Sequence, residues 1–272
     1  MSKNSICHNI FTDKSRMIEE CIPFFQPVMD TNNKLYGVEV LARWKMPNGH
    51  ILPPDVFISQ VTNAGLSAFM TSILLRKTAR ILQSLKSLLP VGMLVSFNVD
   101  TPHYCSSEII CACKLIQRDL IQLCPTLVCE LTERREWGKH SEDKMFLQVL
   151  ERENILVALD DFGTKYSNLD MLSKVHAHFI KIDSSFVCNL NRKSFSQDLI
   201  EVIVFIAKKL SLYIIAEGIE NKWQYDWLKM KGVDFFQGYI LSPPLHAEQF
   251  SAFVRGKKIN NERSTIILLR RN

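Results

Sequence analysis

The stretch SEDKMFLQVLERENILVALDDF, residues 141–162, holds the unit from which the rest of the chain is built. Its first part, Glu142–Arg152, spaces apolar residues at the three-and-four interval of an amphipathic helix. Its second part, Ile155–Asp160, is a compact apolar run of strand length. The run closes on two adjacent carboxylates, Asp160 and Asp161. Outward from this unit the alternation recurs, with strands read at Ile22–Met29, Tyr36–Trp44, Met93–Val99, Leu127–Leu131, Ile155–Asp160, Phe179–Ile182, Tyr213–Ala216 and Asp234–Phe236. Helical periodicity fills intervening stretches such as Ser67–Leu88, Ser106–Leu123, Ser196–Leu210 and Asn221–Lys231. The pentapeptide DTNNK between the first two strands suits a hairpin, hence an antiparallel pair, whereas the later spacings fit right-handed βαβ crossovers. A single α/β domain, a TIM-like (β/α)8 barrel, is the economical reading. A doubly wound open sheet would want a glycine-rich first βα turn, and G-x-G-x-x-G is absent.

Composition narrows the class further. Of 272 residues, 47% are apolar and 22% charged, which excludes a disordered or low-complexity chain. The longest apolar runs fall far short of the roughly 20 residues needed to span a bilayer, and the opening residues lack a secretory h-region. A cytoplasmic protein without a transmembrane segment is therefore expected. Eight cysteines in such a chain read as reduced thiols, and the C-x-C pair Cys111/Cys113 sits in a helical stretch whose i and i+2 positions diverge, which argues against zinc. The net charge of +5 is carried entirely by residues 255–272, where six cations face Glu262. This basic C-terminal tail reads as a solvated end, and no nucleic-acid polymer is expected as partner, because no aromatic residue is interleaved for base stacking.

Six successive strands deliver a polar side chain at the C-terminal end, the face where such barrels carry their active sites: Asn98, Glu130, Asp160–Asp161, Lys181, Glu217 and Gln237. Any one of them alone would read as a helix cap or turn residue. Together with Glu39, inside GVEVLARW, they gather five carboxylates against one obvious counter-charge, Lys181. Crowded carboxylates repel, and a pair of Mg²⁺ or Mn²⁺ ions relieves them with the hard oxygen ligands those cations prefer. Two such ions suit in-line displacement at a phosphodiester.

These residues lie in eight motifs: FFQPV (24–28), EVL (39–41), FNV (97–99), CELTE (129–133), DDFGT (160–164), KIDSSF (181–186), AEGIE (216–220) and QGY (237–239). In this order they resemble the EAL-domain cyclic-di-GMP phosphodiesterases over roughly Phe24 to Phe250. The resemblance implies a barrel with an antiparallel first strand and hydrolysis of cyclic di-GMP to linear pGpG with two Mg²⁺ or Mn²⁺ ions. It further implies that Glu39, Asn98, Glu130 and Asp160 ligate one ion, and that Asp160 and Asp161 hold the second with Glu217 nearby. Lys181 would position and help deprotonate the attacking water, Gln237 would orient another water, and Glu133 would steady the loop after Asp161. Gln26 and Arg43 match positions that contact guanine and phosphate.

Several positions depart from the family pattern. Asp100 replaces a usual Ser, Lys165 a usual Gly in the loop after the acid pair, and Pro243 a frequent basic residue. His176 and His178 form an H-x-H pair whose reading lies between a metal pair and a packing role. The domain is bounded at residues 21–254, between a lead of residues 1–20 and the tail of residues 255–272. Regulatory input is expected from a protein partner, from substrate level, or from homodimerisation through the loop–helix face after Asp161. The competing function is an EAL-like receptor that binds cyclic di-GMP, or a regulator that binds protein, with little turnover.

Overall fold

The computed structural model describes residues 10–99, 107–132, 137, 140–164, 168–190 and 195–256. Nine strands are present among them: β1 (Cys21–Asp30), β2 (Leu35–Lys45), β3 (Ile51–Leu52), β4 (Leu94–Val99), β5 (Thr126–Leu131), β6 (Leu156–Phe162), β7 (Phe179–Ile182), β8 (Tyr213–Ala216) and β9 (Phe235–Phe236). The helices are α1 (Lys14–Glu20), α2 (Pro54–Asn63), α3 (Ser67–Ser84), α4 (Ser107–Asp119), α5 (Ser141–Arg152), α6 (Asn168–Lys174), α7 (Ser184–Cys188), α8 (Phe195–Lys209), α9 (Lys222–Lys231) and α10 (Ala247–Val254).

The sheet order β1-β9-β8-β7-β6-β5-β4-β2, closed by β1–β2 pairing, makes an eight-stranded barrel with β3 added on the flank of β2. All eight expected strands are present. Strand β1 runs antiparallel to both neighbours, and the remaining barrel pairs are parallel. The cause is local: the Asp30 carboxylate accepts the backbone N–H groups of Asn32 and Lys34, each at 2.8 Å, and Asn33 adopts φ 57°, so DTNNK turns the chain back at once.

Two apolar clusters hold the barrel. One lies between barrel wall and helices. The other takes a residue from seven of the strands, Val28, Leu94, Val128, Ala158, Phe179, Ile215 and Phe235, and plugs the interior. The long helical stretches end earlier than their periodicity suggests: α3 stops at Ser84 and α4 at Asp119, each followed by a turn of 3₁₀ helix. After the second, Cys124 takes a left-handed φ of 45° and breaks the run. Strand β3, two residues paired with Trp44 and Lys45, is too short to give a periodic signal. On α4, Cys111 is exposed and Cys113 buried, so the C-x-C thiols point apart. No helix among the described residues is long and apolar enough to cross a membrane.

Candidate active site

Side chains two apart on a strand share a face, so each parallel strand that contributes a plug residue also aims its next inward residue at the barrel mouth. Val128 is followed by Glu130, Ala158 by Asp160, Phe179 by Lys181, Ile215 by Glu217 and Phe235 by Gln237, while Leu94 reaches Asn98 in two such steps. Strand β1 runs the other way, and there Gln26 precedes Val28. In the β1–β2 register Gln26 lies opposite Glu39, and in β4–β5 Asn98 lies opposite Glu130.

The centre of the mouth is Lys181, whose side chain is only 2% exposed. Its Nζ lies 2.6 Å from Glu217 Oε1, 2.7 Å from Glu130 Oε2, 3.0 Å from Asp160 Oδ1 and 3.5 Å from Glu39 Oε2. Glu39 is fixed further by Asn98 Nδ2, which donates to Oε1 at 3.1 Å, and by Gln237 Nε2, which donates to Oε2 at 2.6 Å. Burial opposes the charge on Lys181, but Asp160, Glu130, Glu217 and Glu39 outweigh it and hold the ammonium well above its usual pKa. Burial likewise works against ionised Glu39, yet Lys181 and the bonds from Gln237 and Asn98 bring its pKa below the ordinary value. Glu130 goes the other way: burial, with Glu39 beside it, pushes its pKa well up. Burial raises Glu217 to about 8 against the pull of Lys181.

Asp160 and Asp161 are neighbours in sequence, and in a regular strand they would face opposite sides. Here the β6–β7 register shifts between Leu159 and Phe162, and Asp161 takes φ 49°. Both carboxylates therefore turn to the same mouth, where one oxygen each from Asp160, Asp161 and Glu217 lies within 4.8 Å of the others. Glu217 and Gln237 are placed by close backbone approaches. A Cβ on Gly238 would lie 2.2 Å from Ile219 N and O, and one on Gly218, whose φ is +67°, would lie 2.5 Å from the Ser184 side chain.

The donor set fits divalent cations. Glu130 Oε1 and Gln237 Oε1 are buried without a hydrogen-bond partner, a costly state that an oxygen-seeking cation would relieve. The capping alternative applies elsewhere: Asp183 caps α7 by accepting Ser185 N–H at 3.0 Å, whereas Glu130 and Lys181 are spent on the cluster. Arg43 lies off the acidic centre, with Nη1 donating to Ala42 O at 2.8 Å and its guanidinium 5.3 Å from the Phe24 ring centroid. Glu133, Asp100 and Lys165 lie outside the described residues. The H-x-H rings stand 4.9 Å apart, and His178 Nδ1 accepts the Val157 N–H at 3.2 Å, so that nitrogen is engaged in packing against β6.

A cleft of about 190 Å³ opens onto Asn98, Asp160 and Asp161, walled by Leu41, Pro54, Ile58, Met70 and Thr132. Of this wall only Leu41 and Thr132 fall within the quoted motifs. Thr132 was findable, since it sits inside CELTE, and its buried Oγ1 has no partner. The α2 and α3 wall residues carry no local signal.

Comparison with known proteins places this geometry. The model of the EAL domain family matches residues 14–244. The chain is 37% identical over 248 residues to the cyclic di-GMP phosphodiesterase PdeL of Escherichia coli K12, covering 89% of this chain and 68% of that protein. It is 36% identical over 227 residues to the probable cyclic di-GMP phosphodiesterase PdeG of the same organism, covering 83% of this chain but only 45% of PdeG, so it spans about half of that relative's length. Among solved structures, a cyclic-di-GMP complex of the PaMucR phosphodiesterase superposes with a TM-score of 0.76 at 24% identity, over 90% of this chain and 99% of that one. The EAL enzyme Bd1971, in a form with cAMP and cyclic di-GMP bound, superposes with a TM-score of 0.79 at 22% identity, over 93% of this chain and 70% of that one. At these identities the superpositions establish the shared fold.

Proposed function

Because the chain belongs to the EAL-domain family, we propose that it hydrolyses cyclic di-GMP to linear pGpG at the mouth of the barrel. The observation that carries the proposal is the convergence of Glu39, Glu130, Asp160 and Glu217 on Lys181, with Asp161 turned into the same mouth by the bulge. With all five carboxylates ionised, as cation binding would require, the one ammonium would leave four negative charges, which two divalent cations would neutralise. Glu39, Asn98, Glu130 and Asp160 would hold one cation, and Asp160 and Asp161, with Glu217, the second. Bound there, Mg²⁺ or Mn²⁺ would offset charge on the phosphodiester and ease deprotonation of water.

The chain's own groups do the rest. Lys181, at the centre of the carboxylates, would position the attacking water and help deprotonate it. Gln237 holds Glu39 in its rotamer and keeps its own Oε1 available to orient a second water. Gln26 and Arg43, on the adjoining β1 and β2, would receive guanine and phosphate, and Glu133, which lies outside the described residues, would steady the loop beyond Asp161. The chain would work as a homodimer through the face after Asp161, where Ile203 of α8 lies beside Gly163 and α8 leaves Phe195, Val202 and Phe205 exposed. Light scattering on the purified protein and on Phe205→Asp tests the pairing, since the variant should run as a monomer.

The deciding experiment incubates the protein with cyclic di-GMP and Mg²⁺ and separates the products by chromatography. Accumulation of pGpG supports the enzyme. Tight binding with no product, unchanged by Mn²⁺, would leave a receptor instead.

A further inference from the structure

Among the described residues, Lys181 is the only Lys or Arg that ion-pairs with the acidic cluster, and it is shared by more acceptors than it has protons. An ammonium carries three N–H donors, yet four carboxylates lie within 2.6–3.5 Å of its Nζ. Those four belong to the set proposed to hold divalent cations. On Glu39 both oxygens are already engaged, Oε1 by Asn98 and Oε2 by Gln237 and Lys181. On Asp160 and Glu217 the oxygen nearest Nζ has no other hydrogen-bond partner, so its place in the cluster depends on the ammonium. A cation entering this mouth meets carboxylates drawn in around a positive charge, not an open cage.

We propose that Lys181 is the resident counter-ion of the metal-free site: it holds the carboxylates together in the absence of cations and yields their oxygens as cations load, so its charge lowers the protein's affinity for them. This rests on the metal-site reading above in one respect, that divalent cations bind here at all. The physical ground is Coulomb's law at short range. A fixed positive charge a few ångströms from an incoming dication repels it strongly even at an effective dielectric of about 20, and the shared carboxylates offset only part of that repulsion. The same charge stabilises the empty site, since without it buried carboxylates would face each other unpaired.

The test is Mn²⁺ binding by titration calorimetry on the chelator-stripped full chain, with thermal melting in EDTA and in saturating Mn²⁺, for the wild type, Lys181→Met and Lys181→Arg. Lys181→Met should bind Mn²⁺ about tenfold or more tightly, melt several degrees below the wild type in EDTA and recover in Mn²⁺. Lys181→Arg, which keeps the charge, should stay within about threefold of the wild type. Should Lys181→Met fold only with metal, it is purified in Mn²⁺ and stripped with EGTA, and unfolding on stripping, confined to this variant, reads the same loss. Equal or weaker Mn²⁺ binding by Lys181→Met, or melting in EDTA at the wild-type temperature, overturns the proposal. A wild type that binds no Mn²⁺ would instead sink the metal site itself.

Discussion

At Asp161 the backbone pays for the site. A non-glycine residue at φ 49° costs about 1–2 kcal/mol, less for Asp or Asn, whose side chains tolerate this region. Asp161→Asn should therefore leave the unfolding free energy within about 0.5 kcal/mol, whereas Asp161→Val should lose about 1–2 kcal/mol more, both read by urea denaturation. Both should lose cation binding at the second position. Glu39 is the complementary case, unstrained but joined to Asn98, Gln237 and Lys181. Glu39→Ala should lower kcat by about a thousandfold or more with an unchanged far-UV spectrum, and near-native turnover would remove Glu39 from the site. Glu217 sets a pH dependence. Its folded pKa of about 8 lies above the ordinary 4.5, so between these values the folded protein holds more protons than the unfolded chain. Stability of the metal-free protein should fall as pH rises through that window, and Mn²⁺ affinity should rise, because the carboxyl must release its proton to bind. Melting and calorimetry at pH 5, 6.5 and 8 in EDTA and Mn²⁺ check both signs. The polar residue types and their positions at strand ends were legible in the sequence. That one ammonium would touch four carboxylates was not, because those contacts join four different strands and the residue that follows β8.

Among the elements, the strands were legible nearly to their ends, because apolar runs of four to eight residues are what a barrel buried on both faces requires. Helix ends were less so, since the stops at Ser84 and Asp119 depend on local backbone geometry and not on periodicity. The element junction that matters most is the end of β9 against the segment after β8. There Gln237 N–H donates to Ala216 O at 2.9 Å and Ile219 N–H to Gln237 O at 3.2 Å. Gly238 must lack a side chain for these backbones to meet. Gly238→Ala should push Glu217 and Gln237 apart, costing about 1–3 kcal/mol in stability and weakening Mn²⁺ binding, measured by denaturation and calorimetry. A variant of wild-type stability and affinity would show that the junction yields without moving the site.

For the whole molecule, closure of the barrel joins the first strand to the last, and residues 10–20 pack over its outside. Phe11 meets Trp44 at 5.0 Å and edge-on, Met17 is fully buried, and Glu20 accepts the Trp44 Nε1–H at 2.6 Å while pairing with Arg16. Deletion through Glu20 should cost at least about 3 kcal/mol by the same melting assay, since it removes two buried apolar side chains and the acceptor of a buried indole. The sequence by itself determined the barrel, the antiparallel hairpin and the residue types at the mouth, because strand periodicity, turn chemistry and motif order are properties of nearest neighbours along the chain. Only the tertiary structure decided that Asp160 and Asp161 face the same way, that Lys181 balances four carboxylates, and that α2 and α3 wall a cleft beside them. Each of these depends on a register shift, a charge shared across strands or a helix laid over the barrel, and so on distances between residues far apart in sequence.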